Sequence, residues 1–198
     1  MSGELEFYFD FVSPFAYLAH DRVCALARRY GRKLTYLPID LPAAKIAAGN
    51  TGPSNREIPA KLRYLMTDID RWAKRVNLPV SFPASLASHR MNAGTFYALD
   101  RGLGDKYVRD GFNVGWGAGG DIGSDETLTR LAETMGWPPA EFIEYTGASK
   151  ALPEYVASNR QAVEKGVFGV PTIIVDDQMW WGIDRLDFVG EYLAGRGG

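Results

Sequence analysis

Cysteine and histidine are scarce in this chain of 198 residues, which holds one cysteine, Cys24, and two histidines, His20 and His89. One cysteine excludes an internal disulfide and a CxxC redox motif, and the sequence contains no Cys and His cluster with zinc-binding spacing. The sequence therefore predicts no metal site. A lone thiol is also typical of a reducing compartment, so we expect a cytoplasmic protein.

Long runs of one kind of residue are also missing. The formal net charge is -2 and there is no basic run, so nothing favours binding to nucleic acid. No apolar stretch approaches the length that spans a bilayer, and the acidic Glu4 and Glu6 stand where a signal peptide would carry basic residues. We therefore expect neither a membrane nor a nucleic-acid partner.

The chain does have enough apolar sequence for a core, with 46% hydrophobic residues. Its first forty residues predict a βαβ unit. The segment ELEFYFD places Leu5, Phe7 and Phe9 on one face of a strand. Ser13 is a good N-cap and Pro14 a good first residue for the helix that follows, and LTYLPID predicts a second strand. Two strands connected in this way are expected to be parallel.

The last thirty residues predict two antiparallel strands and a helix. The β-branched run PTIIVDD turns at Asp176 and Asp177, QMWWG can return as a hairpin, and Asp184 is a candidate cap for a final helix. Between the two units the apolar spacing is helical. The predicted helices cover about 62–76, 88–102, 105–116, 125–135, 139–146 and 153–165.

This order of elements predicts an α/β protein with a thioredoxin fold, βαβ…ββα, whose mixed four-stranded sheet is interrupted in sequence by a large all-helical insertion. We assign residues 1–42 and 150–198 to the thioredoxin-like domain and residues 43–149 to the inserted helical domain.

Ser13 occupies the position at which redox proteins of this fold carry a cysteine. The N-terminus of a helix presents unpaired N–H groups and partial positive charge, which stabilise an anion such as a thiolate. Because SPFA stands where CxxC would be, a redox disulfide role is excluded here. Ser13 either only caps the helix or also donates a hydrogen bond to a sulfur that a ligand brings in.

Pro171 enters a predicted strand, where proline removes a ladder hydrogen bond. An ordinary trans proline at a strand start is one interpretation. The other is a cis bond after Val170, which would turn the N–H and C=O groups of Val170 outward to pair with a bound peptide as a short added strand.

Polar residues suited to a ligand occur in two further segments. Asp184, besides capping a helix, could receive the ammonium group of a ligand. The loop GNTGPSNR supplies Asn55 and Arg56, with Lys45 just before it, and an arginine can hold a carboxylate through two parallel bonds. Taken alone, each of the three loop residues is more typical of a solvated surface.

Several of these segments together resemble one family. FYFDFVSPFAYLA, KIAAGNTGPSNR, FNVGWG and FGVPTIIVDDQMWWGIDRL are similar, in order and over nearly the whole chain, to the 2-hydroxychromene-2-carboxylate isomerases, which belong with the kappa-class glutathione transferases. The resemblance implies a homodimer that uses glutathione as a cofactor. It also implies interconversion of 2-hydroxychromene-2-carboxylate and trans-o-hydroxybenzylidenepyruvate in bacterial degradation of naphthalene and related aromatics.

The resemblance also implies a role for each matching residue. Ser13 is expected to hold the glutathione sulfur and Val170, before Pro171, to pair with the tripeptide backbone. The rest of the glutathione site is expected to be lined by Trp181, Gly182, Ile183 and Asp184, and the aromatic carboxylate to be held by Lys45, Asn55 and Arg56.

Two positions depart from the family pattern. Ile183 stands where the pattern has asparagine, which is expected to weaken a side-chain contact to glutathione. Leu86 stands where the pattern has a tyrosine in the substrate pocket, so the preferred aromatic substrate can differ. Three further functions fit the predicted fold: a kappa-type glutathione transferase or peroxidase, a non-catalytic thioredoxin-fold peptide binder, and an oxidoreductase that uses Cys24.

Overall fold

A computed structural model describes residues 3–149 and 152–195 and shows one mixed sheet of four strands. The strand order is β2-β1-β3-β4, with β1 and β2 parallel and the pairs β1/β3 and β3/β4 antiparallel. The predicted α/β thioredoxin fold with a mixed four-stranded sheet is therefore confirmed. The strands are β1 (Glu4–Phe9), β2 (Lys33–Pro38), β3 (Thr172–Val175) and β4 (Gln178–Trp181).

Helices fill the sequence between and after the strands. In the described part of the chain they are α1 (Pro14–Arg29), α2 (Leu41–Ala47), α3 (Pro59–Val76), α4 (His89–Asp100), α5 (Gly104–Phe112), α6 (Asp125–Met135), α7 (Pro139–Gly147), α8 (Pro153–Glu164) and α9 (Leu186–Leu193). None of these helices is long and apolar enough to cross a membrane.

Strand β1 is buried on both faces, which places its end deep inside the molecule. Leu5, Phe7 and Phe9 are all fully buried in one core, which also contains apolar residues of α1 and α9. Tyr8 points to the opposite face and packs in a second core with Ala162 of α8. The alternation in ELEFYFD therefore predicted the orientation of the strand correctly.

Two helix predictions need correction. The second strand was predicted to reach Asp40, so helix α2 was missed. In the structure the Asp40 carboxylate caps α2, because it accepts a hydrogen bond from the backbone N–H of Ala43 at 3.0 Å. The helix predicted over 105–116 ends as an α-helix at Phe112 and continues as a π-helical turn, Asn113–Gly117. Trp116 in that turn is anchored by a 2.8 Å hydrogen bond from its Nε1 to the carbonyl of Phe11.

The division of the chain into two domains stays a prediction. Helices α2 to α8 all fall between β2 and β3, as an insertion requires. The boundary at 42/43 lies inside α2, after its first two residues. The boundary at 149/150 falls at Lys150, which lies outside the described residues.

Candidate active site

The sheet register brings the separate candidate segments to one edge. Residue Tyr8 of β1 pairs with Thr172 of β3, so the C-terminal end of β1 lies beside the N-terminal start of β3. Thr172 also pairs with Trp181 at the end of β4. Strand β2 runs parallel to β1 and ends at the same edge. The loop before α1, the Val170–Pro171 segment, the end of β4 and the start of α2 therefore surround one region.

Ser13 caps α1, as one of its two interpretations predicted. Its Oγ accepts a hydrogen bond from the backbone N–H of Ala16 at 3.2 Å, and its own N–H donates to the carbonyl of Asp10 at 2.9 Å. The residue is 5% exposed. Within the described residues the hydroxyl accepts this bond but donates none, so its proton is available to a ligand. Capping and holding an anion are therefore compatible.

A buried carboxylate, Asp10, fixes the loop that leads to Ser13. Its two oxygens accept hydrogen bonds from the backbone N–H of Val12 at 3.1 Å and of Leu41 at 3.0 Å. A third bond comes from the side-chain amide of Asn92 at 3.0 Å. Burial raises the pKa of the Asp10 carboxyl, and these donors oppose that change. One side chain thus joins the Ser13 loop to the start of α2.

Asn92 of α4 completes this buried network. Its Oδ1 accepts from the backbone N–H of Phe11 at 3.2 Å. Its amide nitrogen lies 3.1 Å from the carbonyl of Ile39 and 3.0 Å from the hydroxyl of Tyr155, so its two hydrogens are shared among these two acceptors and Asp10. Neither Asp10 nor Asn92 was predicted as a site residue. A signal existed for each, because Asp10 directly follows a buried strand and Asn92 interrupts an apolar helix face.

Of the three cationic and amide candidates, Arg56 lies against the Ser13 loop and Lys45 lies near Arg56. Arg56 Nη2 lies 3.4 Å from the carbonyl of Val12. Lys45 is half-buried on α2, and burial and the neighbouring Arg56 charge lower the pKa of its ammonium group. Asn55 is exposed and makes no side-chain hydrogen bond within the part of the chain described. Leu86 is 38% exposed in the loop before α4.

The Val170–Pro171 peptide bond is cis. Val170 is 8% exposed, yet its backbone N–H and C=O have no hydrogen-bond partner among residues 3–149 and 152–195. The carbonyl of Pro171, by contrast, accepts from the N–H of Gly182 at 2.9 Å. An unpaired main-chain donor and acceptor beside a sheet is the arrangement that an added peptide strand needs.

The segment after β4 presents a glycine and an exposed carboxylate. Gly182 has φ +107°, and Asp184 is exposed and contacts Arg185 at 3.3 Å. The expected helix-capping role of Asp184 is wrong: it lies in a 3₁₀ turn, and α9 begins at Leu186 without a side-chain cap.

Ile183 is 3% exposed and its side chain belongs to the core, so only its backbone can contact a ligand. Trp181 is half exposed and packs against Phe168.

The family resemblance implies that this turn contacts glutathione, so replacing Gly182 with alanine is expected to weaken glutathione binding at least tenfold and to lower the melting temperature. The backbone of Gly182 is in a region that only glycine adopts readily, and a Cβ there would collide with the Asp184 carboxylate. Calorimetric titration with glutathione measures the affinity. The control is Gly166→Ala, where φ is also positive, at +76°, but a Cβ would meet nothing within 4 Å. If Gly182→Ala binds glutathione as tightly as the control Gly166→Ala, the turn at Gly182 does not contact the ligand.

Cys24 is remote from this edge and its thiol is protected. It follows Ser13 by about three turns of α1, or roughly 16 Å. Burial raises the pKa of the Cys24 thiol to about 11, and the residue is 2% exposed. This environment is opposite to that of a reactive cysteine.

We therefore expect Cys24 in the folded protein to react with iodoacetamide at pH 8 at least about 10²-fold more slowly than a free thiol, because so little of it is ionised. Mass spectrometry of the alkylated protein measures the rate, and the urea-unfolded chain is the control. Rapid labelling of the native protein would revive the hypothesis of an oxidoreductase that uses Cys24.

Comparison with known proteins agrees with this fold. A family model described as a DSBA-like thioredoxin domain matches residues 4–194. A 2-hydroxychromene-2-carboxylate isomerase of Pseudomonas putida is 44% identical over 194 residues, covering 97% of this chain and 94% of the relative. A solved structure of 2-hydroxychromene-2-carboxylate isomerase is 42% identical, with a TM-score of 0.90, covering 97% of this chain and 94% of that one. Glutathione S-transferase kappa 1 of Rattus norvegicus is 25% identical over 97% of this chain and 91% of its own length.

The sheet, the helices and the capped N-terminus of α1 define a protein of the DSBA-like thioredoxin class. It is a member without the redox cysteine pair, since serine stands before α1 and the only cysteine lies inside the helix. At this level of identity over nearly the full length of both chains, the protein belongs to the 2-hydroxychromene-2-carboxylate isomerase family.

Proposed function

We propose that this protein is a glutathione-dependent isomerase that interconverts 2-hydroxychromene-2-carboxylate and trans-o-hydroxybenzylidenepyruvate. The observation that carries the proposal is the Ser13 hydroxyl, which donates no hydrogen bond within the described residues and lies at the N-terminus of α1 in a chain that has no cysteine there. The family to which the chain belongs supports the substrate assignment. Naphthalene and related aromatic degradation is the pathway class in which we place the reaction.

The residues at the sheet edge fit a γ-glutamyl tripeptide. The unpaired N–H and C=O of Val170 match the main-chain groups of an extended peptide. The Asp184 carboxylate, which no helix end uses, suits the ammonium group of the γ-glutamyl end, with Trp181, Gly182 and the Ile183 backbone beside it. When bound there, glutathione supplies a thiol that, once ionised, can add reversibly to a conjugated double bond.

In this proposal Ser13 and the N-terminus of α1 stabilise the thiolate form of the glutathione sulfur. The hydroxyl donates a hydrogen bond, and the N-terminal end of the helix adds partial positive charge. The buried Asp10 and Asn92 hold the loop so that the hydroxyl keeps its position.

Lys45, Asn55 and Arg56 hold the substrate carboxylate and steady the negative charge that develops on the conjugated system. The contact of Arg56 with the Val12 carbonyl supports this placement next to Ser13. Leu86 forms an apolar wall where the family pattern has tyrosine, and it sets which aromatic ring is preferred.

The test is an absorbance assay of chromene carboxylate isomerisation with and without added glutathione. We expect turnover only with glutathione present, and an unchanged glutathione concentration at the end. Isomerisation at the same rate without glutathione would overturn the proposal. A peptide binder would show no turnover in either arm.

A kappa-type glutathione transferase or peroxidase is the second candidate, and the 25% identical kappa relative favours it over a peptide binder or a Cys24 oxidoreductase. The isomerase and the transferase differ in the fate of the cofactor. Conjugation of a halogenated aromatic, or reduction of a peroxide, consumes glutathione, whereas isomerisation regenerates it. Measuring free thiol in the same assay distinguishes them.

A cytoplasmic homodimer is the assembly and location that we propose. Exposed apolar side chains on α3, with Leu62 37%, Tyr64 63% and Met66 42% exposed, are the kind of surface that a second copy covers. The cytoplasm maintains reduced glutathione, which the reaction needs. Light scattering coupled to gel filtration tests the dimer: a monomer at micromolar concentration would contradict it.

A further inference from the structure

Four side chains with metal-binding atoms meet inside the fold, away from the proposed active site. They are His20, Cys24, Tyr36 and Asp105, and we call them the donor cluster. Three are almost fully buried, with His20 and Cys24 both 2% exposed and Tyr36 4% exposed, whereas Asp105 lies at the surface. The residues come from α1, β2 and α5, so only the folded chain assembles them.

The spacing of the donor atoms is close to that of a tetrahedral metal site. Donors around zinc, at about 2.0 Å for nitrogen and oxygen and 2.3 Å for sulfur, lie roughly 3.2–3.6 Å from one another. Here Cys24 Sγ lies 3.5 Å from His20 Nε2, 3.4 Å from the Tyr36 hydroxyl and 3.7 Å from Asp105 Oδ1. His20 Nε2 lies 3.0 Å from the Tyr36 hydroxyl. The Tyr36–Asp105 contact is shorter than this range, and Asp105 is an exposed residue.

A second layer of contacts orients the histidine. His20 Nδ1 lies 3.4 Å from the carboxylate of Asp21, which leaves Nε2 directed at the donor cluster. A carboxylate behind the other ring nitrogen is the usual partner of a metal-binding histidine. Arg109 lies 3.6 Å from Asp21 and 4.0 Å from Asp105 and balances their charge.

We propose that the donor cluster binds a zinc-class divalent cation through His20 Nε2, Cys24 Sγ and the Asp105 carboxylate, with the Tyr36 hydroxyl at the fourth position. A thiolate, an imidazole and a carboxylate are the ligand set that Zn²⁺ favours. On binding, the Cys24 thiol releases its proton to solvent, and thiolate and carboxylate together neutralise the ion. The bound cation links α5 to α1 and β2. It therefore ties the helical region to the βαβ unit.

The experiment uses the full chain, treated with a chelator and then titrated with Co²⁺ as a spectroscopic substitute for Zn²⁺. We expect one equivalent to produce a near-ultraviolet thiolate-to-cobalt charge-transfer band and intense visible bands of four-coordinate cobalt, both bleached by Zn²⁺. Cys24→Ser should abolish the charge-transfer band. His20→Asn should weaken Co²⁺ binding by about 10²-fold or more, because losing only an outer-shell partner of a metal ligand already costs about 10–100-fold.

His89→Asn is the matched control, because His89 is the only other histidine and lies beside Asp40, outside the donor cluster. It should bind Co²⁺ as the unchanged protein does. If circular dichroism shows that Cys24→Ser or His20→Asn fails to fold, the surface variant Asp105→Asn tests the proposal instead. We expect Asp105→Asn to lower the Co²⁺ affinity at least tenfold. A missing charge-transfer band in the unchanged protein, or equal Co²⁺ affinity in His20→Asn or Asp105→Asn, would overturn the proposal.

Discussion

Replacing Ser13 with alanine is expected to lower kcat/KM about 10²-fold and to raise the apparent pKa of bound glutathione by about one to two units. The hydroxyl proton is the only donor that this side chain offers to a sulfur anion. A hydrogen bond to a charged group contributes about 1.5–3 kcal/mol, which corresponds to that change in pKa. Removing one donor that stabilises an anion in an active site has an effect of similar size on the rate. The pH–rate profile and the ultraviolet absorbance of the thiolate measure the two quantities.

The control for this variant is another serine that caps a helix. Ser124 caps α6 and accepts a hydrogen bond from the backbone N–H of Thr127 at 3.2 Å, the same distance as in the Ser13 cap. Ser13→Ala should lose about 1 kcal/mol of stability, and Ser124→Ala at least as much, because the Ser124 hydroxyl also donates to the carbonyl of Asp121 at 3.1 Å. Only the Ser13 variant should lose activity. If the two variants lose stability alone and keep the wild-type pH–rate profile, Ser13 is a cap and has no role in holding sulfur.

Replacing Asn92 with alanine is expected to lower the free energy of unfolding by about 3 kcal/mol and to lower activity as well. The variant leaves the backbone N–H of Phe11 and the carbonyl of Ile39 without their partner, and it removes one donor from the Asp10 carboxylate. Unpaired buried polar groups cost about 1–3 kcal/mol each, more when charged. Because the loop before Ser13 depends on these bonds, its geometry should loosen. Urea unfolding and kcat/KM at saturating glutathione measure the two effects.

Thr95 offers a control on the same helix. It is fully buried on α4, and its hydroxyl has no hydrogen-bond partner among the described residues. Thr95→Val keeps the shape of the side chain and removes a polar group that gains nothing from burial, so stability should be unchanged or slightly higher. Equal loss of stability in both variants would mean that the Asn92 network contributes no more than ordinary packing on that helix.

Local sequence patterns predicted most of the fold but not its irregular parts. The helix predicted over 125–135 matches α6 from Asp125 to Met135, because Ser124 and the apolar spacing both lie within a few residues of the helix. The short helix α2 was not predicted, because its capping residue Asp40 closely follows a strand and was assigned to that strand. The π-helical turn after Phe112 was not predicted, because its residues continue a helical pattern in the sequence. The change from α-helical to π-helical geometry depends on tertiary contacts such as that of Trp116 with Phe11.

The candidate site was predictable in part. Ser13, Val170, Asp184 and Arg56 were proposed from their position in the pattern or from the family resemblance. The fold brings their segments to one sheet edge, and their roles there stay predictions. The network around Asp10 was not predicted. A buried carboxylate and a buried amide look in sequence like surface residues until the fold shows what surrounds them.

The sequence by itself determined that no cysteine precedes α1, that Leu5, Phe7 and Phe9 share one face of a strand, and that a βαβ unit and a ββα unit flank a helical region. These properties depend on residue identity or on neighbours within a turn or two, where periodicity carries the information. Only the tertiary structure decided that Asn92 meets Asp10, and that His20 and Cys24 meet Asp105. Those contacts join residues some eighty positions apart, and packing of the whole chain places them together.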